Sequence, residues 1–456
     1  MKSRTTMDQV LKAAHHYRMP LKDTYVFYMP DTLSIVDGNR DIAYIMDCCS
    51  IPVVFDTLVR RVETAYQNYS RETVTDQIND MIKSDLLIDL STKSRKPHRT
   101  LPQIQNHDIN YKRISIHVTD RCNLECQYCY NKADRLKYQR KELTFINWER
   151  ILKDIFSYNI PSKITISGGE PLLYDELYEL VCLIKNHKIR VEILSNGTQC
   201  DSKAIKIFDK VDQVVISLDS HIEKINNLSR GHGSYSKVMS TLDILDKRGI
   251  AFGINSVLTT YNISTIGETI RYMRNRYKSL MGVMPIFQEA WHLAPHLVPS
   301  KRQMDENYEC NLGTTSINKE LEDQLIVAWG NSLSYRAACT VASKEFAIAT
   351  DGNVLPCRAM YFEAMNAGKL NGRNFREIWE DSPVLNMVRK ANNKRSQVCR
   401  EANCDFQSIC LGGCLAHSYS ATGKLLPFVD ENDCYRFKQM SMLKMHIKLK
   451  HAKDEI

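Results

Sequence analysis

The segment CNLECQYCY, Cys122 to Tyr130, sets three cysteines into eight positions, with three and then two residues between them. Thiols this close, in a chain that shows no export signal, read as metal ligands rather than bridge partners, because cytosolic thiols are kept reduced. A structural zinc site would close itself with four protein ligands, yet the next cysteine along the chain is Cys182. Three thiolates hold a cubane four-iron four-sulfur cluster through three of its irons and leave the fourth iron open. The missing cysteine is therefore expected to be a binding place for an exogenous ligand.

Outward from this loop the pattern is one of strands alternating with amphipathic helices. RISIHV (from Arg113), KITIS (from Lys163), RVEIL (from Arg190), QVVISL (from Gln213), AFGINSV (from Ala251) and GVMPIF (from Gly282) read as strands. INWERILKDIFSYN and DELYELVCLIKNH are helical segments between them. Six βα units in series predict an α/β fold with a parallel sheet, closed or partly closed like a barrel, and chemistry at the C-terminal strand ends. The cysteine triplet falls in the loop after the first strand.

The flanking parts read differently. From Tyr25 to Met46 three β-rich runs, YVFYMP, LSIVDG and DIAYIM, are separated by turn residues, and helical patterns follow in IPVVFDTLVRRV and RETVTDQINDMIKSDLLI. This predicts a small α+β module of three strands and then helices. The polar stretch STKSRKPHRTLPQIQNHDIN, with Pro97 and Pro102, reads as a linker. At the other end, Cys339 to Cys434 holds seven cysteines with few long periodic segments, so metal clusters are expected to staple it. Cys48, Cys49 and Cys182 read as packing residues.

Composition bounds the rest. A chain of 456 residues has room for about three domains, and 43% hydrophobic with 25% charged residues is ordinary for a globular protein. No stretch approaches the roughly 18 uninterrupted apolar residues of a membrane span, and the N-terminus MKSRTTMDQVLKAAHHYRMP lacks the apolar core of a signal peptide. A cytoplasmic protein without membrane contact is expected. The net charge of +8 is partly gathered in KMHIKLKHAK, which reads as a solvated helix face rather than a nucleic-acid surface.

With Tyr128 inside it, the C-x3-C-x2-C triplet resembles the signature of the radical S-adenosylmethionine enzymes. The resemblance implies that Cys122, Cys126 and Cys129 hold a cluster whose open iron takes the amino and carboxylate groups of the methionine. One electron then cleaves the sulfonium to a 5′-deoxyadenosyl radical. SGGEP, Ser167 to Pro171, resembles the family's GGE motif: Gly168 and Gly169 let backbone approach a ligand closely, and Glu170 supplies an acceptor for a cationic amine. SNGT, with Ser195 and Asn196, looks like the segment that contacts the cofactor's ribose. After the fourth strand come Ser217 and Asp219, then Arg230; a serine and an arginine at these places hold the methionine carboxylate in related enzymes, a task suited to arginine's planar fork.

The C-terminal pattern, C-x12-G-x4-C from Cys339 to Cys357 followed by Cys399, Cys404, Cys410, Cys414 and Cys434, resembles the SPASM extension, which binds two auxiliary clusters. Its usual C-x2-C is stretched here to C-x4-C, as in thioether-forming members. The resemblance implies that Cys399, Cys404, Cys410 and Cys434 hold the outer cluster and Cys339, Cys357 and Cys414 the inner one, with Cys310 as a fourth inner ligand or the site open to substrate. Three [4Fe-4S] clusters and S-adenosyl-L-methionine are then the cofactors. The N-terminal module resembles the winged-helix-like peptide-recognition element of ribosomal-peptide (RiPP) maturases, where strand addition of an extended leader peptide is the physical mode.

The expected organisation is a recognition element over 1–95, a linker over 96–111, a partial (β/α)6 TIM-like barrel over 112–300, a bridging segment over 301–338, a SPASM domain over 339–434 and a basic helix over 435–456. The implied activity is maturation of a precursor peptide bearing a leader, forming cysteine thioether crosslinks in the manner of sactipeptide and ranthipeptide synthases, with an electron donor such as flavodoxin or ferredoxin. Carbon-carbon crosslinking, epimerisation, peptide excision and a sulfatase-maturase-like oxidation are the rival activities. A cluster-stapled DNA-binding regulator is the rival of another class; the helix RETVTDQINDMIKSD is not dominated by basic residues, which favours the peptide role.

Overall fold

The computed structural model describes residues 9–20, 24–30, 34–66, 68–91, 110–129, 131, 140–287, 294–304, 339–370, 374–401, 404–406, 410, 413–426, 434, 435 and 438. Cys310, most of the linker and nearly all of the basic C-terminal segment lie outside these residues.

The N-terminal module contains β1 (Val10–Ala13), β2 (Tyr17–Pro20), β3 (Thr24–Met29), β4 (Ser34–Asn39), α1 (Arg40–Cys48), β5 (Val53–Val54), α2 (Phe55–Ala65), α3 (Arg71–Lys83) and β6 (Leu87–Asp89). They form two antiparallel three-stranded sheets, in the orders β5-β1-β6 and β2-β3-β4, around a core of their own that includes Leu11, Phe27, Met46, Leu58, Val62, Val74 and Ile78. Two readings are corrected here. DIAYIM is helix α1, not a strand: Asn39 Oδ1 caps the Asp41 and Ile42 amides at 3.1 and 3.0 Å, and Ala43, Ile45 and Met46 bury one face. The helix read through DLLI ends at Lys83, because Asp85 takes a left-handed φ of 63° and turns Leu87–Asp89 into β6. Strands β1 and β2 lie before the first run recognised in the sequence.

The barrel strands are β7 (Arg113–His117), β8 (Lys163–Ser167), β9 (Arg190–Ser195), β10 (Gln213–Ser217), β11 (Phe252–Leu258) and β12 (Leu280–Phe287), paired parallel in chain order. Between them run α4 (Phe145–Tyr158), α5 (Leu177–Asn186), α6 (Ser202–Lys210), α7 (Glu223–Arg230), α8 (Ser234–Lys247) and α9 (Ile266–Arg276). A reciprocal cap between Thr144 and Asn147 starts α4, which buries Trp148, Ile151, Leu152, Ile155 and Phe156 against the sheet. Each such side chain stabilises by about 1.5–3 kcal/mol relative to exposure. Ile114, Ile116, Ile164, Ile166, Val214 and Ile216 belong to the core shared with the helices, so the alternate positions, His117, Ser167 and Ser217 among them, line the inner face.

Beyond the barrel the chain returns to the same sheet. β13 (Glu345–Ile348) adds parallel to β7, followed by the antiparallel β14 (Asn353–Leu355) and β15 (Gly368–Lys369), giving a nine-stranded sheet. Helices α10 (Phe375–Asp381), α11 (Pro383–Glu401) and α12 (Leu415–Thr422) complete the described C-terminal part. Tyr111, assigned by sequence to the linker, is fully buried against Phe346, Phe375 and Trp379, with its hydroxyl donated to the Asn159 carbonyl at 2.6 Å. The ordered barrel therefore begins within the expected linker. Among the described residues no helix is long and apolar enough to cross a membrane.

Candidate active site

Past the ends of β7 and β8 the ladder continues into the loops. Val118 donates its amide to the Ser167 carbonyl at 3.0 Å, Gly169 to Thr119 at 2.7 Å and Glu170 to Arg121 at 2.8 Å. Gly168 has φ +148°, and a Cβ there would stand 2.4 Å from the Thr119 oxygen; at Gly169 it would stand 2.1 Å from that of Arg121. The close approach that these glycines permit is thus to the protein's own cysteine loop. Its base is held from the other side too: Thr350 Oγ1 and the Tyr361 hydroxyl lie 3.1 and 3.0 Å from Asp120 Oδ1, and Arg121 Nε donates to Glu142 at 2.8 Å.

Glu170 is fully buried. Its Oε1 accepts from Ser195 Oγ at 2.9 Å and the Leu172 amide at 3.2 Å, and its Oε2 from the Asn196 amide at 2.7 Å. Burial pushes its carboxyl up to about 7 against the lowering effect of these hydrogen bonds. Three protein donors thus occupy the carboxylate expected to accept from an amine, and through them it ties the second strand end to the third. From there Asn196 Nδ2 donates to Asn123 Oδ1 at 2.8 Å and lies 4.0 Å from Cys122 Sγ.

Asp219, fully buried, is the other organiser. Oδ1 accepts from Arg230 Nη2 at 2.8 Å and the Val257 amide at 2.9 Å, and Oδ2 from the Tyr128 hydroxyl at 2.5 Å and Ser229 Oγ at 2.7 Å. The Asp219 amide in turn donates to Asn226 Oδ1 at 3.0 Å. Arg230 closes the arrangement: its guanidinium lies 5.6 Å from the Tyr128 ring centroid, and its carbonyl 3.9 Å from Cys126 Sγ. Burial opposes the Arg230 charge, but Asp219, Tyr128 and Cys126 outweigh it and hold the group above its ordinary value. Burial raises the Cys126 thiol to about 11, opposed by Arg230.

These donors fit the groups the resemblance implies. Cys122, Cys126 and Cys129 are all partly buried in one loop, with Cys122 Sγ 4.0 Å from Asn196 Nδ2 and Cys126 Sγ 3.9 Å from the Arg230 carbonyl, and thiolates in such a loop would be stabilised by a metal. Arg230 Nε is buried without a hydrogen-bond partner among the described residues, which suits an anionic group beside this loop. Ser217 ends β10 opposite Asn255, half-buried on the inner face.

In the C-terminal part three thiols shift with neighbouring cysteines among the causes. Burial raises the Cys357 thiol well above its ordinary value, with further contributions from Glu345, Cys339 and Cys414. Cys399 shares a hydrogen bond with Cys404, which raises the first thiol and lowers the second, and Cys410 and Cys434 act on Cys399 as well. Cys310 lies outside the described residues. Cys49 packs in the module's core, its thiol pushed up to about 12 by burial.

Several residues of the site carried no signal in the sequence. Asn123, Asn226 and Ser229 act through side chains whose partners are 73, 7 and 10 positions away. His117 is another: it is fully buried on the inner face, stacked on Tyr361 at 4.6 Å, with neither ring nitrogen partnered among the described residues. Burial, with Arg358 and Arg140, holds it neutral, down at about 3.

The profile of the Radical SAM superfamily matches residues 116–273, and that of the SPASM iron-sulfur cluster-binding domain matches residues 339–405. An AdoMet-dependent heme synthase of Methanosarcina barkeri is 23% identical over 346 residues, 69% of this chain and 93% of its own. PqqA peptide cyclase of Granulibacter bethesdensis is 21% identical over 322 residues, 68% of this chain and 83% of its own. Streptococcus suis SuiB, in its crystal structure bound to precursor peptide SuiA, shares the fold with a TM-score of 0.55 at 15% identity, over 93% of this chain and 99% of SuiB. Motif order, barrel and cysteine-bearing extension agree with these matches: the chain carries a Radical SAM domain followed by a SPASM iron-sulfur cluster-binding domain.

Proposed function

We propose that this chain is a radical SAM maturase of a ribosomally synthesised precursor peptide and that it forms cysteine thioether crosslinks. Cys122, Cys126 and Cys129 would hold the first [4Fe-4S] cluster, Cys399, Cys404, Cys410 and Cys434 an outer one, and Cys339, Cys357 and Cys414 an inner one. When bound there, S-adenosylmethionine would supply radical chemistry for removing a hydrogen atom from the substrate. Around it, Arg230 and Ser217 would hold the methionine carboxylate and Asn196 would contact the ribose, while Ser195, its hydroxyl donated to Glu170, would position that segment. Asp219 keeps Arg230 charged and aimed, and Tyr128 locks the last turn of the cysteine loop onto the same carboxylate. Glu170 and the two glycines fix the spacing of the strand ends.

One observation supports the thioether reading: the C-terminal cysteine pattern offers four cysteines, Cys399, Cys404, Cys410 and Cys434, for an outer cluster but only Cys339, Cys357 and Cys414 for an inner one. A three-thiol site leaves room for a substrate thiolate, and metals deprotonate thiols. The N-terminal module, whose two sheets leave outer strands for pairing, would take the leader by strand addition. A flavodoxin-like or ferredoxin-like donor would deliver the electron. The likeness to a peptide cyclase leaves a second reading, in which the crosslink is formed between carbons and the inner site is closed.

The test is coexpression with a short cysteine-containing precursor encoded beside this chain, followed by fragmentation mass spectrometry. A lost hydrogen pair localised to a cysteine and an acceptor residue supports the thioether. An unmodified cysteine with a crosslink elsewhere supports the second reading. Zinc in place of iron, or adenosylmethionine cleavage that survives replacement of Cys122, Cys126 and Cys129, overturns both.

A further inference from the structure

The N-terminal module is seated on the segment that carries two of the outer cysteines. Tyr17 and Tyr28 face each other across β2 and β3, and together they grip Asp405 and Phe406. The Tyr17 hydroxyl donates to Asp405 Oδ2 at 2.5 Å, and the Tyr28 hydroxyl to the Asp405 carbonyl at 2.9 Å. The buried Phe406 ring lies edge-on to Tyr17 at 4.5 Å and 5.2 Å from Tyr28. His15 Nε2 is 3.4 Å from the same carboxylate, and Lys438 lies 5.3 Å from the Phe406 ring centroid.

This contact is a packed face and not a chance touch of two surfaces. Phe27 and Met29 point into the module's own core, so strand alternation puts Val26 and Tyr28 on the opposite face. Both are nevertheless fully buried, although neither belongs to that core. At Tyr28 the cover is the Asp405–Phe406 segment. The grip reaches the cysteines directly, because the Phe406 carbonyl accepts the Cys410 amide at 2.8 Å and the Cys399 carbonyl accepts the Cys404 amide at 2.8 Å.

We propose that the module is part of the outer metal site: by holding Asp405 and Phe406 it preorganises Cys404 and Cys410 for ligation. Ordering a short segment costs conformational entropy, and metal binding is coupled to the folding of its ligands. Broken contacts must then weaken retention of the outer cluster, as linkage requires. The inference rests on the reading of Cys399, Cys404, Cys410 and Cys434 as a cluster site, but not on any peptide binding by the module. It also changes what a truncation means, since deleting residues 1–95 would disturb the outer cluster as well as any leader recognition.

The experiment uses the full chain, reconstituted anaerobically, with iron release to a ferrous chelator followed over time. In Tyr17→Phe/Tyr28→Phe, loss of two hydrogen bonds is expected to release the outer iron about tenfold faster, leaving the adenosylmethionine-induced change in the Cys122 cluster's electron paramagnetic spectrum as in wild type. A cycle between Tyr17→Phe and Asp405→Ala isolates the contact, because the tyrosine's effect must vanish once the carboxylate is gone. Should the double tyrosine variant lose its module to proteolysis, the Tyr17→Phe and Asp405→Ala cycle decides. Release curves that superimpose on wild type, or purely additive effects in the cycle, overturn the proposal. If Cys399→Ala/Cys434→Ala removes no iron, the cluster reading itself fails, which is a distinct result.

Discussion

Arg230 and Asp219 meet across the mouth of the barrel with Nη2 2.8 Å from Oδ1, and both side chains are more than nine-tenths buried. Removing one partner of such a pair leaves an uncompensated charge and costs about 3–5 kcal/mol. Asp219→Ala should therefore destabilise the fold by about that amount in denaturant unfolding. Asp219→Ala/Arg230→Met should recover much of the stability, because the stranded cation is gone, without recovering adenosylmethionine affinity. Equilibrium binding that returns with stability in the double variant would remove Arg230 from the cofactor site.

Gly169 tests the contact between the two loops. An added carbon there meets the Arg121 carbonyl at 2.1 Å, whereas at Gly253 the nearest atom is 3.9 Å away. Gly169→Ala should displace the segment leading into Cys122, lowering stability by about 1–3 kcal/mol and reducing the iron retained by the first cluster. Gly253→Ala should leave both unchanged. Equal iron content in the two variants would mean that the cysteine loop does not depend on this ladder.

Glu170 gives a pH dependence with a definite sign. Burial raises its folded-state carboxyl from 4.5 to about 7, so the native chain holds this proton more tightly than the unfolded one. The corresponding stability is full below about pH 4.5 and is lost as pH rises through 7, by at most about 3 kcal/mol. Glu170→Gln should lack this component. Urea unfolding of the apoprotein at pH 5 and pH 8 measures it; an identical change in both proteins would show that Glu170 is ionised throughout.

The barrel was legible because each βα unit repeats a local pattern, and the motif residues were legible because they fall at successive strand ends. What was hidden depends on contacts made across the fold. β13 pairs with β7 in a register that sets Arg113 opposite Glu345, 232 positions away, and no local pattern announces such a pairing. Tyr111 looked like linker because its aromatic partners come from the C-terminal part. DIAYIM has strand-forming residues, and only the Asn39 cap turns its apolar positions into a helix face. The glycines of the GGE segment were read as making room for a ligand, whereas what approaches them is the backbone of Thr119 and Arg121, which sequence alone does not place beside them.

The inner cluster decides between the two proposed chemistries, and Cys310 is the residue on which they differ. On the proposed assignment Cys339, Cys357 and Cys414 would supply three ligands, and the fourth would come from Cys310 or from the substrate. An open site predicts that Cys310→Ala keeps all the iron, about twelve per chain for three four-iron clusters, and keeps crosslinking. It also predicts that a cysteine-containing precursor perturbs the inner cluster's spectrum, while the serine-substituted precursor leaves it unchanged, because only a thiolate supplies a strong fourth ligand. A closed site predicts loss of about four irons in Cys310→Ala and no spectral response to the substrate thiol. That result would make the inner cluster an electron conduit, and the crosslink would then form at carbon without sulfur held on iron.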